Sequence, residues 1–146
     1  MIDKNWIGHE IGSSVLPIEQ GRLRFFAKAV GETQPIYTDV AAARDAGYAD
    51  LLAPPTFLFA AELDSGAMFS LLDLLGVPVQ KLLHGEESFE YLGPVVAGDT
   101  VTVSSRIKNI YDKKNGALEF LEIESEAVNQ HGVLVARLRS LTVVRN

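Results

Sequence analysis

The sequence predicts an α+β fold in which a curved antiparallel sheet wraps around a long central helix. Apolar residues recur at near-helical spacing through the first half of the chain, and they alternate with polar residues through most of the second half. Between the two halves lies a stretch that is apolar on most of its helical circumference. A helix of that kind must be covered by other structure, and the strands that follow are the available cover.

The front half is expected to contain one edge strand or loop and two short helices. Residues 1–17 carry an early turn signal and a short apolar patch that ends at a proline. Helical spacing over Ile18–Val30 predicts a helix that Gly31 terminates. Asp39 is a suitable N-cap for a second helix over Val40–Ala46.

The central helix is predicted over Phe57–Leu75, directly after Pro54 and Pro55. Proline is tolerated where a helix begins, because the N–H that it lacks would be unpaired there. Gly66 is expected to weaken this helix midway. Asp64 interrupts its apolar surface, and a carboxylate inside the fold would need a partner.

Four antiparallel strands are predicted after Pro78, and Asn115-Gly116 is a strong hairpin signal between two of them. The charges of Glu86, Glu87 and Glu90 are expected to lie on an exposed strand face. The strands are Leu82–Leu92, Thr100–Tyr111, Leu118–Val128 and Val133–Val144. Because such a sheet leaves edge strands and apolar surface uncovered, we expect edge-to-edge dimerisation with a second copy or a homologous partner.

Composition limits the classes of function. The 146 residues predict a single domain spanning 1–146, and a formal net charge of −6 argues against a nucleic-acid partner. There is no cysteine, and the three histidines are too scattered along the chain to predict a metal site. No apolar run is long enough to cross a membrane and no signal peptide is evident, so a cytoplasmic location is expected.

A motif in the front half resembles that of the MaoC-like or (R)-specific enoyl hydratase family of hot-dog folds. That family has an aromatic residue, then Gly-Asp-x-Asn-Pro-aliphatic-His, then a small residue six positions later. The frame here is Phe26, Gly31-Glu32-Thr33-Gln34-Pro35-Ile36-Tyr37 and Ala43. Further segments are similar to the FAS1-type branch, which includes the non-catalytic subunits of mycobacterial (3R)-hydroxyacyl-ACP dehydratases. These segments are Ala53–Phe57, His84–Tyr91, Pro94 and Ala97–Asp99.

The resemblance implies a hot-dog fold, an acyl-thioester substrate carried on CoA or acyl carrier protein, and no cofactor. In the family, the aspartate and histidine of the motif activate the water that adds to an enoyl thioester. A backbone N–H at the start of the central helix polarises the thioester carbonyl. The chemistry needs an acid/base pair within hydrogen-bond reach of one water and a donor aimed at the developing enolate oxygen.

This chain departs from the family at each polar position of the motif. Glu32 replaces the aspartate, Gln34 the asparagine and Tyr37 the histidine. A phenol, with a pKa of about 10, is a poor base at neutral pH, and a displacement of about 1 Å can slow catalysis roughly 100-fold. Pro54 and Pro55 stand where active members have His-Gly, and proline has no N–H to donate.

The candidate catalytic residues are therefore Glu32 and Tyr37, in altered form. The candidate substrate-binding residues are Gln34, Pro55, Thr56, Phe57 and Phe59, with the Thr56 N–H as a substitute donor to the carbonyl. Structural roles compete with these functional ones: Glu32 as a solvated loop carboxylate and Tyr37 as a core residue.

Three functions fit this pattern. The first is a substrate-channel subunit that pairs with a catalytic MaoC-like subunit of a (3R)-hydroxyacyl-thioester dehydratase or enoyl hydratase. The second is a self-sufficient hydratase that uses Glu32 and Tyr37. The third is a non-enzymatic hot-dog dimer that binds acyl-CoA or acyl-ACP.

Overall fold

The computed structural model describes residues 1–146 and contains one five-stranded antiparallel sheet, with the strands in the order β1-β3-β4-β5-β2. The strands are β1 (Glu10–Pro17), β2 (Leu82–Tyr91), β3 (Thr100–Lys113), β4 (Leu118–Asn129) and β5 (Leu134–Arg145). Each of the four predicted strands is present within about two residues of its predicted ends. The α+β class with a curved antiparallel sheet is confirmed.

Four α-helices lie between β1 and β2: α1 (Gln20–Ala29), α2 (Val40–Asp45), α3 (Phe59–Asp64) and α4 (Ala67–Leu75). Short 3₁₀ turns span Lys4–Trp6, Pro35–Tyr37 and Val79–Lys81. The predicted cap of α2 is confirmed, since the Asp39 carboxylate accepts the Ala41 N–H at 2.9 Å.

The apolar run after Pro55 is divided into two helices rather than forming one. Gly66 has φ of +69°, a left-handed conformation that ends α3 and precedes α4. The expectation that this run is covered all round is wrong for the isolated chain, since Leu63, Phe69 and Leu74 are at least half exposed. Asp64 lies at the surface and pairs with Arg22 at 2.6 Å.

The first and second strands occupy the two edges of the sheet. β1 pairs with β3 and β2 pairs with β5, so the central part is a β3-β4-β5 meander. The register of β2 against β5 shifts between His84 and Glu86. A Cβ on the intervening Gly85 would lie 3.0 Å from the Leu141 carbonyl oxygen, so a side chain there would be crowded.

This bulge corrects the prediction for Glu87. The prediction assumed that side chains alternate strictly from the start of the strand, and it did not include the extra residue. In the structure the Glu86 side chain is 55% exposed, whereas the Glu87 side chain is only 13% exposed. Glu90 lies outside as expected and pairs with Arg137 at 3.2 Å.

The interior contains two clusters of buried apolar side chains. The larger joins α1 and the segment around Phe57 to β3 and β5, and the smaller packs α4 against the other end of the sheet. The larger cluster supports one wall of the cavity described next. No helix is long and apolar enough to cross a membrane.

Candidate functional site

A cavity of about 410 Å³ lies between the motif segment, the loop that precedes α3, and the loop that follows β2. Its wall is mostly apolar, and the phenols of three tyrosines are the only polar side chains in it. The lining residues are Tyr37, Tyr48, Leu52, Ala53, Pro54, Pro55, Leu58, Tyr91, Leu92, Gly93, Pro94 and Val95. A cavity of this size and character is typical of a small-molecule site.

Backbone hydrogen bonds fix the three loops against one another. The Leu52 N–H donates to the Ile36 carbonyl at 3.1 Å, and the Ala53 N–H donates to the Val95 carbonyl at 2.8 Å. Pro54 and Pro55 follow at once, and their rings restrict the chain further. The cavity is therefore formed by loops tied across long sequence separations.

Tyr37 enters the cavity wall from the 3₁₀ turn Pro35–Tyr37 and is 7% exposed. Burial raises the pKa of its hydroxyl, and the charges of Glu32 and Tyr48 raise it further. The phenol is therefore protonated at neutral pH, where it can donate a hydrogen bond but is a poor base.

The Glu32 carboxylate is used by its own loop. Its Oε1 accepts the backbone N–H groups of Thr33 and Gln34, both at 2.9 Å. Glu32 is not part of the cavity wall. These contacts match the loop-carboxylate alternative, and a catalytic role for Glu32 stays a prediction.

The other predicted substrate-binding residues are dispersed. Pro55 lines the cavity, whereas Gln34 is exposed outside it. Phe57 is 1% exposed and packs edge-on against Phe26 with ring centroids 5.3 Å apart. The Phe59 ring instead packs edge to face with the ring of His84, and the two ring centroids are 5.4 Å apart. Pro55 and Tyr37 are thus the two predicted residues that the fold brings to one cavity.

The Thr56 N–H, the expected substitute donor, already has a partner. It donates to the Tyr91 hydroxyl oxygen at 2.8 Å. Thr56 has φ of +74°, a conformation uncommon for a residue with a side chain. Sequence reasoning missed Tyr91 as a site residue. Tyr91 is 45% exposed, and its place two residues after Phe89, on the same face of β2, was the available signal.

A second polar cluster lies between α3 and the sheet. Glu62 is 8% exposed and accepts a hydrogen bond from Ser125 at 2.5 Å. Both carboxylate oxygens of Glu87 and the Oγ of Ser140 are buried without a hydrogen-bond partner. Burial, with the charge of Glu62 second, raises the pKa of Glu87 to about 8. The His84 Nε2 lies 3.8 Å from the Oε2 of Glu87. No group of three His, Asp or Glu side chains is arranged to hold a metal ion.

A larger depression of about 660 Å³ crosses the strands and is lined mainly by polar and charged side chains. Its three arginines are paired: Arg137 with Glu90 at 3.2 Å, Arg139 with Glu122 at 2.7 Å, and Arg106 with Glu124. Because the charges are neutralised in pairs, this surface offers no free cation to an anionic ligand.

A family model described as "FAS1-like, dehydratase domain region" matches residues 5–138. The chain belongs to this family. UPF0336 proteins from Streptomyces avermitilis and Parafrankia sp. are 35% and 36% identical to this chain. The alignments cover 99% and 92% of this chain and 95% and 89% of those proteins.

Solved structures with similar chains confirm the hot-dog fold. A chain of the truncated HadBC (3R)-hydroxyacyl-ACP dehydratase complex from Mycobacterium tuberculosis has a TM-score of 0.81 at 23% identity, covering 94% of this chain and 96% of that one. A MaoC-like dehydratase has a TM-score of 0.84 at 23% identity, covering 97% of this chain and 42% of that one. The R-hydratase PhaJ1 from Pseudomonas aeruginosa has a TM-score of 0.66 at 18% identity, with 96% and 82% covered.

Proposed function

We propose that this chain is the substrate-channel subunit of a (3R)-hydroxyacyl-thioester dehydratase or enoyl hydratase, and that it pairs with a MaoC-like subunit carrying an intact Asp/His motif. The observation that carries the proposal is the composition of the cavity wall: apolar side chains and three phenols, with no carboxylate and no imidazole. Such a wall suits an acyl chain and one carbonyl oxygen. It has no group that is basic enough to activate water at neutral pH.

Two further observations support a partner subunit. Leu63 on α3 and Phe69 and Leu74 on α4 are exposed. Strand β2 lies at an edge of the sheet and has one side unpaired. Edge-to-edge pairing would cover the β2 edge, and a partner subunit packed on the helices would cover the apolar side chains. A chain with a similar fold belongs to the HadBC (3R)-hydroxyacyl-ACP dehydratase, which is named as a complex. A homodimer that binds acyl-CoA or acyl-ACP without turnover is the competing assembly.

The proposal is tested with the pure chain and with the chain co-expressed with a MaoC-like protein that has the intact motif. We expect the pure chain to bind hexanoyl-CoA in calorimetry without hydrating crotonyl-CoA, and the pair to hydrate it. Leu92→Trp places a large ring in the cavity wall at a residue that is 47% exposed and tolerant of added volume. This substitution should raise the KM of the pair.

Val133→Trp is the matched control, because Val133 is 53% exposed and outside the cavity wall. It should leave KM unchanged. Efficient hydration by the pure chain would instead support the self-sufficient mechanism, in which Glu32→Gln and Tyr37→Phe each abolish turnover. Binding without turnover in every combination would support the non-enzymatic module.

A further inference from the structure

The phenol of Tyr91 stands between the Thr56 N–H and the cavity. Thr56 is absent from the cavity wall, whereas Tyr91 is part of it. The Thr56 N–H donates to the Tyr91 hydroxyl oxygen at 2.8 Å, so it is already satisfied in the free protein. A ligand in the cavity therefore meets the side chain of Tyr91 before it can reach this backbone donor.

The Tyr91 hydroxyl retains its own hydrogen for donation. A phenol oxygen can accept one hydrogen bond and donate another, and the Tyr91 O–H has no acceptor among the protein groups. Donation from the Thr56 N–H polarises the hydroxyl and strengthens it as a donor. Burial raises the pKa of Tyr91, partly offset by the Thr56 hydrogen bond, so the group is protonated at neutral pH.

The ring is held in place from two sides. It stacks on Phe89, with centroids 6.0 Å apart and planes within 4°. At its other end the hydroxyl is held by the N–H of Thr56, in a loop restrained by the two prolines that precede it. A donor positioned in this way before the ligand arrives loses little freedom on binding.

We propose that the Tyr91 hydroxyl, oriented by the Thr56 N–H, is the hydrogen-bond donor for the carbonyl oxygen of the bound acyl thioester. The inference rests on the proposed function, because it assumes that the cavity takes an acyl thioester. It assigns Thr56 a positioning role and Tyr91 the contact with the ligand. The wall at Pro54 and Pro55 offers no backbone N–H, and the Tyr91 hydroxyl, held beside this segment by the Thr56 N–H, supplies the missing donor.

The test compares two probes that differ only at the carbonyl: hexanoyl-CoA, a thioester, and S-hexyl-CoA, its thioether analogue. The ratio of their dissociation constants isolates the contribution of the carbonyl oxygen. In the wild-type chain the thioester should bind more tightly. Tyr91→Phe should reduce that preference by about 2- to 10-fold, the range for one net hydrogen bond, and should leave thioether binding nearly unchanged.

Tyr111→Phe is the matched control, since Tyr111 stacks on Phe120 away from the cavity and should not change the ratio. Infrared spectra of hexanoyl-CoA labelled with ¹³C at the carbonyl give a second readout. The carbonyl stretch should lie lower in the wild-type complex than in the Tyr91→Phe complex. Equal melting temperatures of wild type and variant exclude an effect on folding.

The outcomes separate the two proposals. If the wild type binds neither probe, the proposed acyl-thioester function is wrong and this inference fails with it. If both probes bind but Tyr91→Phe leaves the preference unchanged, Tyr91 does not donate to the carbonyl. If the substitution increases the preference, the phenol blocks the Thr56 N–H rather than replacing it, and the inference is overturned.

Discussion

Replacing Glu87 with glutamine is expected to stabilise the fold above neutral pH and to change it little in acid. The Glu87 side chain is 13% exposed, and both carboxylate oxygens are buried without a hydrogen-bond partner. Its neighbours are Ser140, opposite it in β5, the imidazole of His84 and the carboxylate of Glu62. The charged form of Glu87 is therefore poorly solvated and lies near a second carboxylate.

The direction of the pH effect follows from the pKa of Glu87, which rises from an ordinary 4.5 to about 8 in the fold. Between these two values the folded state binds more protons than the unfolded state, so the free energy of unfolding falls as pH rises. Above pH 8 Glu87 is ionised in the folded state, and the whole loss of stability is present. Glutamine has the same shape and no charge, so it removes this loss.

The full shift of the Glu87 pKa corresponds to a loss of at most about 5 kcal/mol in the free energy of unfolding. The partial solvent contact of the side chain and relaxation around it reduce the expected gain to about 2 kcal/mol at pH 9. Urea unfolding at pH 5 and pH 9 measures the difference between the two conditions. Glu86→Gln, at the 55% exposed neighbour, should change stability by less than about 0.5 kcal/mol at both pH values. Equal effects of Glu87→Gln at both pH values would refute the reasoning.

Two further substitutions, each with a matched control variant, test the fold. Gly66→Ala should destabilise by about 1 kcal/mol in thermal unfolding, because φ is +69° although space is open around it. Gly21→Ala in α1, also in open space but without positive φ, should be neutral or stabilising. Glu119→Ala should cost about 1–3 kcal/mol in urea unfolding, since the Ile2 N–H donates to this carboxylate at 2.6 Å in a buried site. Glu119→Gln, which keeps an acceptor, should lose less; an equal loss would contradict this explanation.

Local patterns predicted the elements well. Alternation and the turn signals placed the four strands of the back half, and Asp39 marked the start of α2 as the structure has it. The motif around Tyr37 predicted the hot-dog fold, which the family match and the solved structures confirm. The strands and the helix cap depend on neighbours within a few residues, so they are visible in the chain itself, whereas the hot-dog fold was predicted from the resemblance to a known family.

The candidate site was predictable only in part. Tyr37 was identified from the motif and Pro55 from the segment Ala53–Phe57 of the family resemblance, and both line the cavity. Tyr91 was missed because its contact with Thr56 joins residues 35 positions apart. Spacing within one strand shows which way a side chain points, and it does not show which loop lies opposite.

The sequence by itself determined the fold class and the strands, and it shows Glu32 and Tyr37 at the two polar positions of the motif. Only the tertiary structure decided which polar groups are buried and paired. A single extra residue in β2 turned Glu87 inward, and packing of the loop before α3 against β2 put the Tyr91 hydroxyl on the Thr56 N–H. Both depend on the registration of distant segments, which is set by packing of the whole chain rather than by local preference.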